Sequence, residues 1–389
     1  MTSIQSVEDF KAFVQQVESS DSYTRPLAFG LGVRRSKHGK TLDVLFPHVN
    51  YEANYGSAAV LAKVGGFASN ENGFVVLDKA KLAEAYNVFA PFHDDLDNHS
   101  NVKTIKMVHD ACREGEGYAD VDVIAYFLFD GSQPVANPEE AYFKLQCLTQ
   151  RCVQPHGINV NGAFGALNNV AWTNYGPIFP EDVAAIRLNY LFAERPLKVS
   201  HIDKFPYLVD YHLPSGCRIT SNSQVRLGAH LGEGTTVMPA GYINFNAGTA
   251  GSAMVEGRIS AGVFVGNHTD IGGGASIMGT LSGGNKNVIS LGDKCLLGAN
   301  AGTGISLGFG CTVQAGLYIT GGMKVYLYNK EGQPVDLEGS VVEEGRNIVK
   351  ALDLNGRDNM LFIQDSRDGR VICKPNPKTI ELNEALHKN

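Results

Sequence analysis

The chain has 389 residues, 43% of them hydrophobic and 19% charged, with a net charge of −7, which is an ordinary globular balance with material for two or three domains. An acidic chain with no long basic run is not built for nucleic acid or for an anionic membrane surface. No apolar run approaches the ~20 residues of a membrane span, and the N-terminal MTSIQSVEDFKAF has no basic stretch followed by an apolar one, so neither an anchor nor a secretory signal is expected and a cytoplasmic location is.

Residues 1–205 read as an α/β domain. SVEDFKAFVQQVESS (6–20) has helical spacing, with Ser6 as N-cap three residues before Asp9. His93-Asp94-Asp95-Leu96-Asp97-Asn98-His99 gathers metal-ligand residue types without the spacing of an EF-hand or zinc motif, and reads as a polar loop. VDVIAYFLFDGS (121–132) predicts a strand ending in a turn. Residues 137–152 and 180–196 predict helices, each with Pro near its first turn. The seven cysteines (Cys112, Cys147, Cys152, Cys217, Cys295, Cys311 and Cys373) are odd in number and contain no CxxC. Reduced thiols are expected, with no disulfide framework and no metal site.

Residues 206–325 carry a repeat. Leu213, Ile219, Val225, Leu231, Val237 and Ile243 recur every six positions. The phase slips and resumes at Ile259, Val265, Ile271 and Ile277. Gly283 takes the next slot, and Ile289 and Cys295 follow. A second slip after AGTG leads to Ile305, Cys311, Leu317 and Met323. Many of these have a second apolar residue two positions on, as in Ile289/Leu291, Cys295/Leu297 and Cys311/Val313. Glycine often stands third after the repeat residue, at Gly228, Gly262, Gly274, Gly292, Gly298 and Gly308. A period of six suits neither an α-helix nor a hairpin stack. It is the mark of a hexapeptide β-helix, in which each hexapeptide supplies a short strand and a corner and three complete a triangular coil. There is room for about six coils of ~18 residues. A Gly-rich β-sandwich is the alternative, and six successive hits in one frame weigh against it. Residues 326–389 change pattern again, to strands with polar turns at NKEG and SRDG. They form a small β-rich unit that would cover the open end of the helix or a neighbouring subunit.

MVEGRISAGVFVGNHTDIGGGASIMGTLSGG (254–284), VISLGDKCLLGANAGTGISLG (288–308) and AGLYITGG (315–322) resemble the tetrahydrodipicolinate N-succinyltransferase family, in its long-chain form. The likeness is dense from about 201 to 325 and reaches the tail through VKALDLNGRDNMLF (349–362). MVEGRISAG is its specific motif. Hexapeptide repeats alone also occur in sugar, serine and antibiotic acyltransferases and in carbonic anhydrases. The resemblance implies a left-handed parallel β-helix and a homotrimer with active sites between adjacent helices. It implies succinyl-CoA as donor and ring-opened tetrahydrodipicolinate as acceptor, on the way to diaminopimelate and lysine.

Glu256 is the first catalytic candidate. A carboxylate inside an apolar, Gly-rich stretch needs a reason to be there, and acylation of an amine needs a base or a nucleophile. The resemblance assigns the position to a nucleophile forming an acyl anhydride. The alternative is a structural Glu paired with Arg258, which is expected on the same side of one strand. Arg258 itself suits a carboxylate of donor or acceptor. The resemblance implies that the Gly279 backbone N–H faces the tetrahedral oxyanion. It also implies that Gly273, Ser276, Ala299, Ala315 and Gly322 line a CoA channel, although as bare residues they are equally corner residues. Lys350 is a candidate for the CoA phosphates. Asn244 and Asn246 are candidates for acceptor contacts or for an asparagine ladder inside the helix. His230 and His268 lie in the repeat. His268 reads as polar corner filler and is the next suspect if Glu256 proves dispensable.

GANAGTG (298–304) lacks the Lys-Ser/Thr of a phosphate-binding loop, GGGASIMG opens no predicted helix, and there is no serine-hydrolase elbow. Three alternatives to a succinyltransferase stay open. They are another acyl-CoA N-acyltransferase on the same scaffold, a non-catalytic β-helix for trimerisation, and a metal-dependent hydratase, which the few histidines of the repeat disfavour.

Overall fold

The computed structural model describes residues 4–112, 117–221, 224–281 and 288–377. The chain divides into two compact units, Met1–Cys152 with Ile158–Pro206, and Val153–Gly157 with Tyr207–Asn389.

The first unit is built on a four-stranded antiparallel sheet. Helix α1 (Val7–Glu18) starts at Ser6, whose side chain takes the Asp9 N–H while Asp9 reaches back to the Ser6 N–H, a capping box. Strands β1 (Ala28–Lys37) and β2 (Lys40–Tyr51) form a hairpin turning on His38-Gly39, both with positive φ. After α2 (Tyr55–Gly65), β3 (Gly73–Leu77), α3 (Lys79–Val88) and α4 (Ser100–Ala111), strand β4 (Asp120–Leu128) completes the order β2-β1-β4-β3. Helix α5 (Pro138–Thr149) is buried from Glu139 to its end. Its carboxamides serve the free edge of β2. Gln146 accepts from Phe46 N and donates to Val44 O, both at 2.9 Å, and Gln150 accepts from Val49 N and donates to Phe46 O. An edge that would otherwise invite another strand is thereby satisfied. In the loop 93–99, His93 stacks on Tyr86 at 3.8 Å and His99 lies on Phe92 at 4.6 Å.

The second unit is a solenoid of parallel coils. Three walls are defined by the inward residues that pair from coil to coil. The first carries Ile219, Val237, Val255, Ile271, Leu297 and Val313. The second carries Val225, Ile243, Ile259, Ile277, Thr303 and Ile319. The third carries Leu231, Thr249, Val265, Leu291 and Leu307. All are buried except Ile219, which is half-buried, and the six residues of the first wall count six coils. Leu213, expected to open the repeat, is 78% exposed and belongs to the approach segment, so the first coil starts at Arg218–Ile219. Tight corners need left-handed backbone, which Gly274 supplies at φ 72 and Asn300 at φ 56.

Three intervals between inward residues depart from six. Val255 to Ile259 is four, Ile277 to Leu291 is fourteen, and Thr303 to Leu307 is four. The two phase slips read from the sequence are the two short corners. The long interval corrects the frame after Ile277. Leu291 and Leu297, not Ile289 and Cys295, are the partners of Val265 and Ile271. Gly283 itself lies outside the described residues. The physical reason is that an extra eight residues add two beyond a whole hexapeptide, so the second member of each apolar pair takes over the wall. Gly298 and Gly292 are accordingly not left-handed. They sit where the next coil passes, and a Cβ on Gly298 would lie 2.5 Å from Ala315 N.

The tail prolongs the first wall. Thr312 and Val313 pair in parallel with Leu361 and Phe362, and the hairpin Met360–Gln364/Val371–Pro375 carries Lys324–Leu327 and Ile348–Lys350 into one ten-stranded sheet. The described residues of the tail, 326–377, therefore cover the last coil. Leu291→Ala is expected to cost about 2–5 kcal/mol of stability, and Ser290→Ala, on the outward side of the same strand, less than about 0.5; urea unfolding of the two variants checks the register.

Candidate active site

Glu256 stands at the corner between the first and second walls. Its strand is Ala253–Val255, and the next strand, Arg258–Ile259, belongs to the second wall. Glu256 and Arg258 are thus not on one side of a single strand, as their spacing suggested, because the corner at Glu256-Gly257 turns the chain between them. Arg258 is exposed, and its Nη2 donates to Ser276 Oγ at 2.7 Å one coil on. The Glu256 carboxylate is half-buried and makes no hydrogen bond or ion pair among the described residues. The structural pair with Arg258 does not form.

The backbone of Glu256 is held at both ends. Its N–H donates to Ile271 O at 2.8 Å, and its carbonyl accepts from Gly274 N at 3.1 Å. The same ladder climbs the corner, with Asn300 N donating to Gly273 O and Gly316 N to Ala299 O, each at 2.9 Å. Glu256, Gly273, Ala299 and Ala315 therefore stack at one corner on successive coils, ~4.8 Å apart. A Cβ placed on Gly273 would find one neighbour within 4 Å, Glu256 Oε2 at 3.4 Å. The carboxylate lies against the coil above it, at the foot of a strip of small residues. Ser276 flanks that strip, with its side chain on the outward face of the second wall between Arg258 and Gly302.

Gly322 belongs to a different corner. It is exposed, and the chain beside it pairs with the tail through Leu352 N to Gly321 O at 3.0 Å. Lys350 lies there too, opposite Lys324 in the antiparallel register. Lys324 also lines a cleft of about 630 Å³ with Gly316, Tyr318, Tyr326 and Arg370, whose guanidinium covers the Tyr326 ring at 5.0 Å. Tyr318, Lys324 and Arg370 escaped the sequence reading because no periodicity marks them. Hairpin packing brings them together.

Gly279 follows the second wall of the fourth coil. Its carbonyl accepts from Ile289 N at 3.3 Å, and its N–H donates to no described acceptor. That N–H stands at the corner between the second and third walls, whereas Glu256 stands between the first and second. Gly279 lies five residue steps beyond Gly274, which bonds the Glu256 carbonyl, a span on the order of 15 Å in extended chain.

Asn244 Oδ1 accepts from Arg226 Nη1 and from Phe245 N, at 3.2 and 2.9 Å. Asn246, left-handed at φ 52, accepts from the backbone N–H of His156 at 2.9 Å. Both are thus engaged with Arg226 and His156, and among the described residues neither joins an asparagine ladder. His230 bonds Val153 O through Nδ1 at 2.9 Å. His268 is exposed with φ 55, at the corner between the third and first walls.

Comparison with known proteins adds the family. Models described as the tetrahydrodipicolinate N-succinyltransferase N-terminal and middle regions match residues 8–165 and 167–207, and a hexapeptide repeat of succinyl-transferase matches 288–321. The 2,3,4,5-tetrahydropyridine-2,6-dicarboxylate N-succinyltransferase of Vibrio cholerae is 44% identical over 93% of this chain and 99% of its own. The chain belongs to the tetrahydrodipicolinate N-succinyltransferase family. The enzyme of that name from Campylobacter jejuni is 38% identical over 99% of this chain and 100% of its own. A Campylobacter jejuni crystal structure titled as a 2,3,4,5-tetrahydropyridine-2-carboxylate N-succinyltransferase superposes with a TM-score of 0.85 at 36% identity, covering 97% of this chain and all of that one. The fold class is that of the family, a left-handed parallel β-helix after an α/β N-terminal domain.

Asn246→Ala is expected to lower stability by about 1 kcal/mol, since it removes the acceptor from the exposed His156 N–H and leaves alanine left-handed. KM for the acceptor should stay unchanged. A raised KM at unchanged stability would return Asn246 to the substrate.

Proposed function

We propose that the chain transfers the succinyl group of succinyl-CoA to the amine of ring-opened tetrahydrodipicolinate, with Glu256 at the reacting carbon. The observation that carries this reading is the Glu256 carboxylate itself, half-buried and unpaired at the foot of a strip of small residues. An unpaired carboxylate set against backbone is free to act on a ligand, whereas a salt-bridged one is not. The strip Gly273, Ala299, Ala315 gives a pantetheine arm a surface without protruding side chains. Beyond its far end, Lys324 offers a cation to phosphate oxygens, and Lys350 faces it.

As nucleophile, Glu256 attacks the thioester carbon, the C–S bond breaks, and CoA leaves as the thiol after taking a proton. The acceptor amine then attacks the anhydride and regenerates the carboxylate. As general base, Glu256 takes the amine proton while the amine attacks the thioester carbon directly; the C–S bond then breaks and CoA leaves as the thiol, taking up that proton. In both routes a negative charge grows on the carbonyl oxygen, and an unused backbone N–H such as that of Gly279 is the donor such an oxygen needs.

The working unit in this reading is a homotrimer. Glu256 and Gly279 stand at different corners of one helix, so a site using both takes Glu256 from one copy and Gly279 from the next. Glu256→Gln should lower kcat on the order of 100-fold or more while thermal melting and CoA affinity hold. Thiol release, followed with succinyl-CoA and acetyl-CoA in parallel, reads the donor as well. Acceptor-dependent release with acetyl-CoA alone would keep the scaffold and reject the succinyl donor. Mixing Glu256→Gln chains with Gly279→Pro chains should restore activity at about a quarter of the sites by random assembly. A site made within one chain would give none.

A further inference from the structure

The corner that carries Glu256 is two residues shorter than those around it. Between the inward residue of the first wall and the first paired residue of the second stand four residues in the neighbouring coils: Met238–Gly241, Gly272–Ala275, Gly298–Ala301 and Gln314–Leu317. In the third coil there are two, Glu256 and Gly257. Glu256 does alone what Gly272 and Gly273 do together one coil above. Its N–H meets the first-wall carbonyl of Ile271, as that of Gly272 meets Leu297 O, and its carbonyl accepts from the left-handed residue above, as that of Gly273 does. The left-handed residue found at Gly274, Asn300 and Gly316 has no counterpart in this coil. The corner column is therefore notched at one level. Pro239 and Ala240, both exposed, form its lower lip, and Gly273 and Gly274 its upper lip.

We infer that this two-residue shortening is the device that positions the reactive carboxylate, and that Gly273 acts with it as a positioning residue by leaving the space above the carboxylate empty. A corner of ordinary length would carry its first side chain out to the level of the lips. The short corner draws Glu256 inward, so that an acyl group resting on the flush strip above meets the carboxylate from within a recess. The inference rests on the role given to Glu256 in the proposed function.

The test restores the missing length. Inserting Gly-Asn between Glu256 and Gly257 copies the four-residue corner of the fifth coil, with Asn at the left-handed position as at Asn300. Thermal melting, subunit mass and CoA affinity are expected to stay at wild-type values while kcat falls about 100-fold. A kcat within about threefold of wild type in the folded insertion variant would overturn the inference. Should the insertion prevent folding, Gly273→Ala and Gly273→Val decide. Alanine, whose Cβ would stand 3.4 Å from the carboxylate oxygen, should lower kcat in part and valine further, and wild-type kcat in both folded variants would overturn it. Wild-type chain without acyl transfer, or full activity in Glu256→Gln, would instead reject the proposed function and is seen separately.

Discussion

Each coil of the solenoid hydrogen-bonds to the coils before and after it, and its inward side chains fill a core one residue deep. A strand cannot gain or lose a residue under that constraint without turning its inward residue to solvent. Changes of chain length are therefore confined to corners. The two-residue losses at 256–257 and 304–306 and the eight-residue gain between Ile277 and Leu291 all fall there, while the pairing of Val265 with Leu291 and of Thr303 with Ile319 is undisturbed. Where a coil departs from six, the walls stay as they were and the surface at one corner changes.

That same constraint explains how much of the fold could be read. A period of six is imposed by geometry on every wall, so the solenoid and its roughly six coils were legible from aliphatic spacing alone. The short corners showed as phase slips because they change the count modulo six. The fourteen-residue interval did not, because the apolar pairs two positions apart, Ile289/Leu291 and Cys295/Leu297, keep both frames filled with buried residues. Leu213 fell in frame by spacing alone and has no coil beneath it to pack against. The mistaken pairing of Glu256 with Arg258 has a similar origin. Period-two reasoning holds within a strand, and here the strand ends at Val255.

The N-terminal unit was legible in a few elements, α1, β4 and α5 among them, and not in its sheet or its burial. Ser6 with Asp9 marked the first helix, and Asn137-Pro138 marked the start of α5. Nothing local says that α5 is enclosed on all sides, since PEEAYFKLQCLT carries two glutamates and a lysine. Their enclosure depends on partners far along the chain. Glu139 accepts from Arg34 and Thr41, and Glu140 pairs with Lys144 at 2.8 Å and accepts from Asn72. A buried pair of this kind is tolerated only when its remaining hydrogen-bonding positions are filled, and these are filled by residues distant in sequence.

The contrast between those glutamates and Glu256 bears on what the site can do. Glu139 and Glu140 are almost wholly buried and fully engaged, so their charge is spent on structure. Glu256 is half-buried, its backbone is fixed at N–H and carbonyl, and its carboxylate has no partner among the described residues. Its main chain is as rigid as any in the solenoid while its functional group stays uncommitted. A folded chain gains nothing in stability from withholding a partner from a half-buried carboxylate. Arg258, two residues away, would be an obvious partner if the corner were straight, and the turn that separates them gives Arg258 to Ser276 instead. The geometry that denies Glu256 a salt bridge is thus the geometry that leaves it available to a ligand.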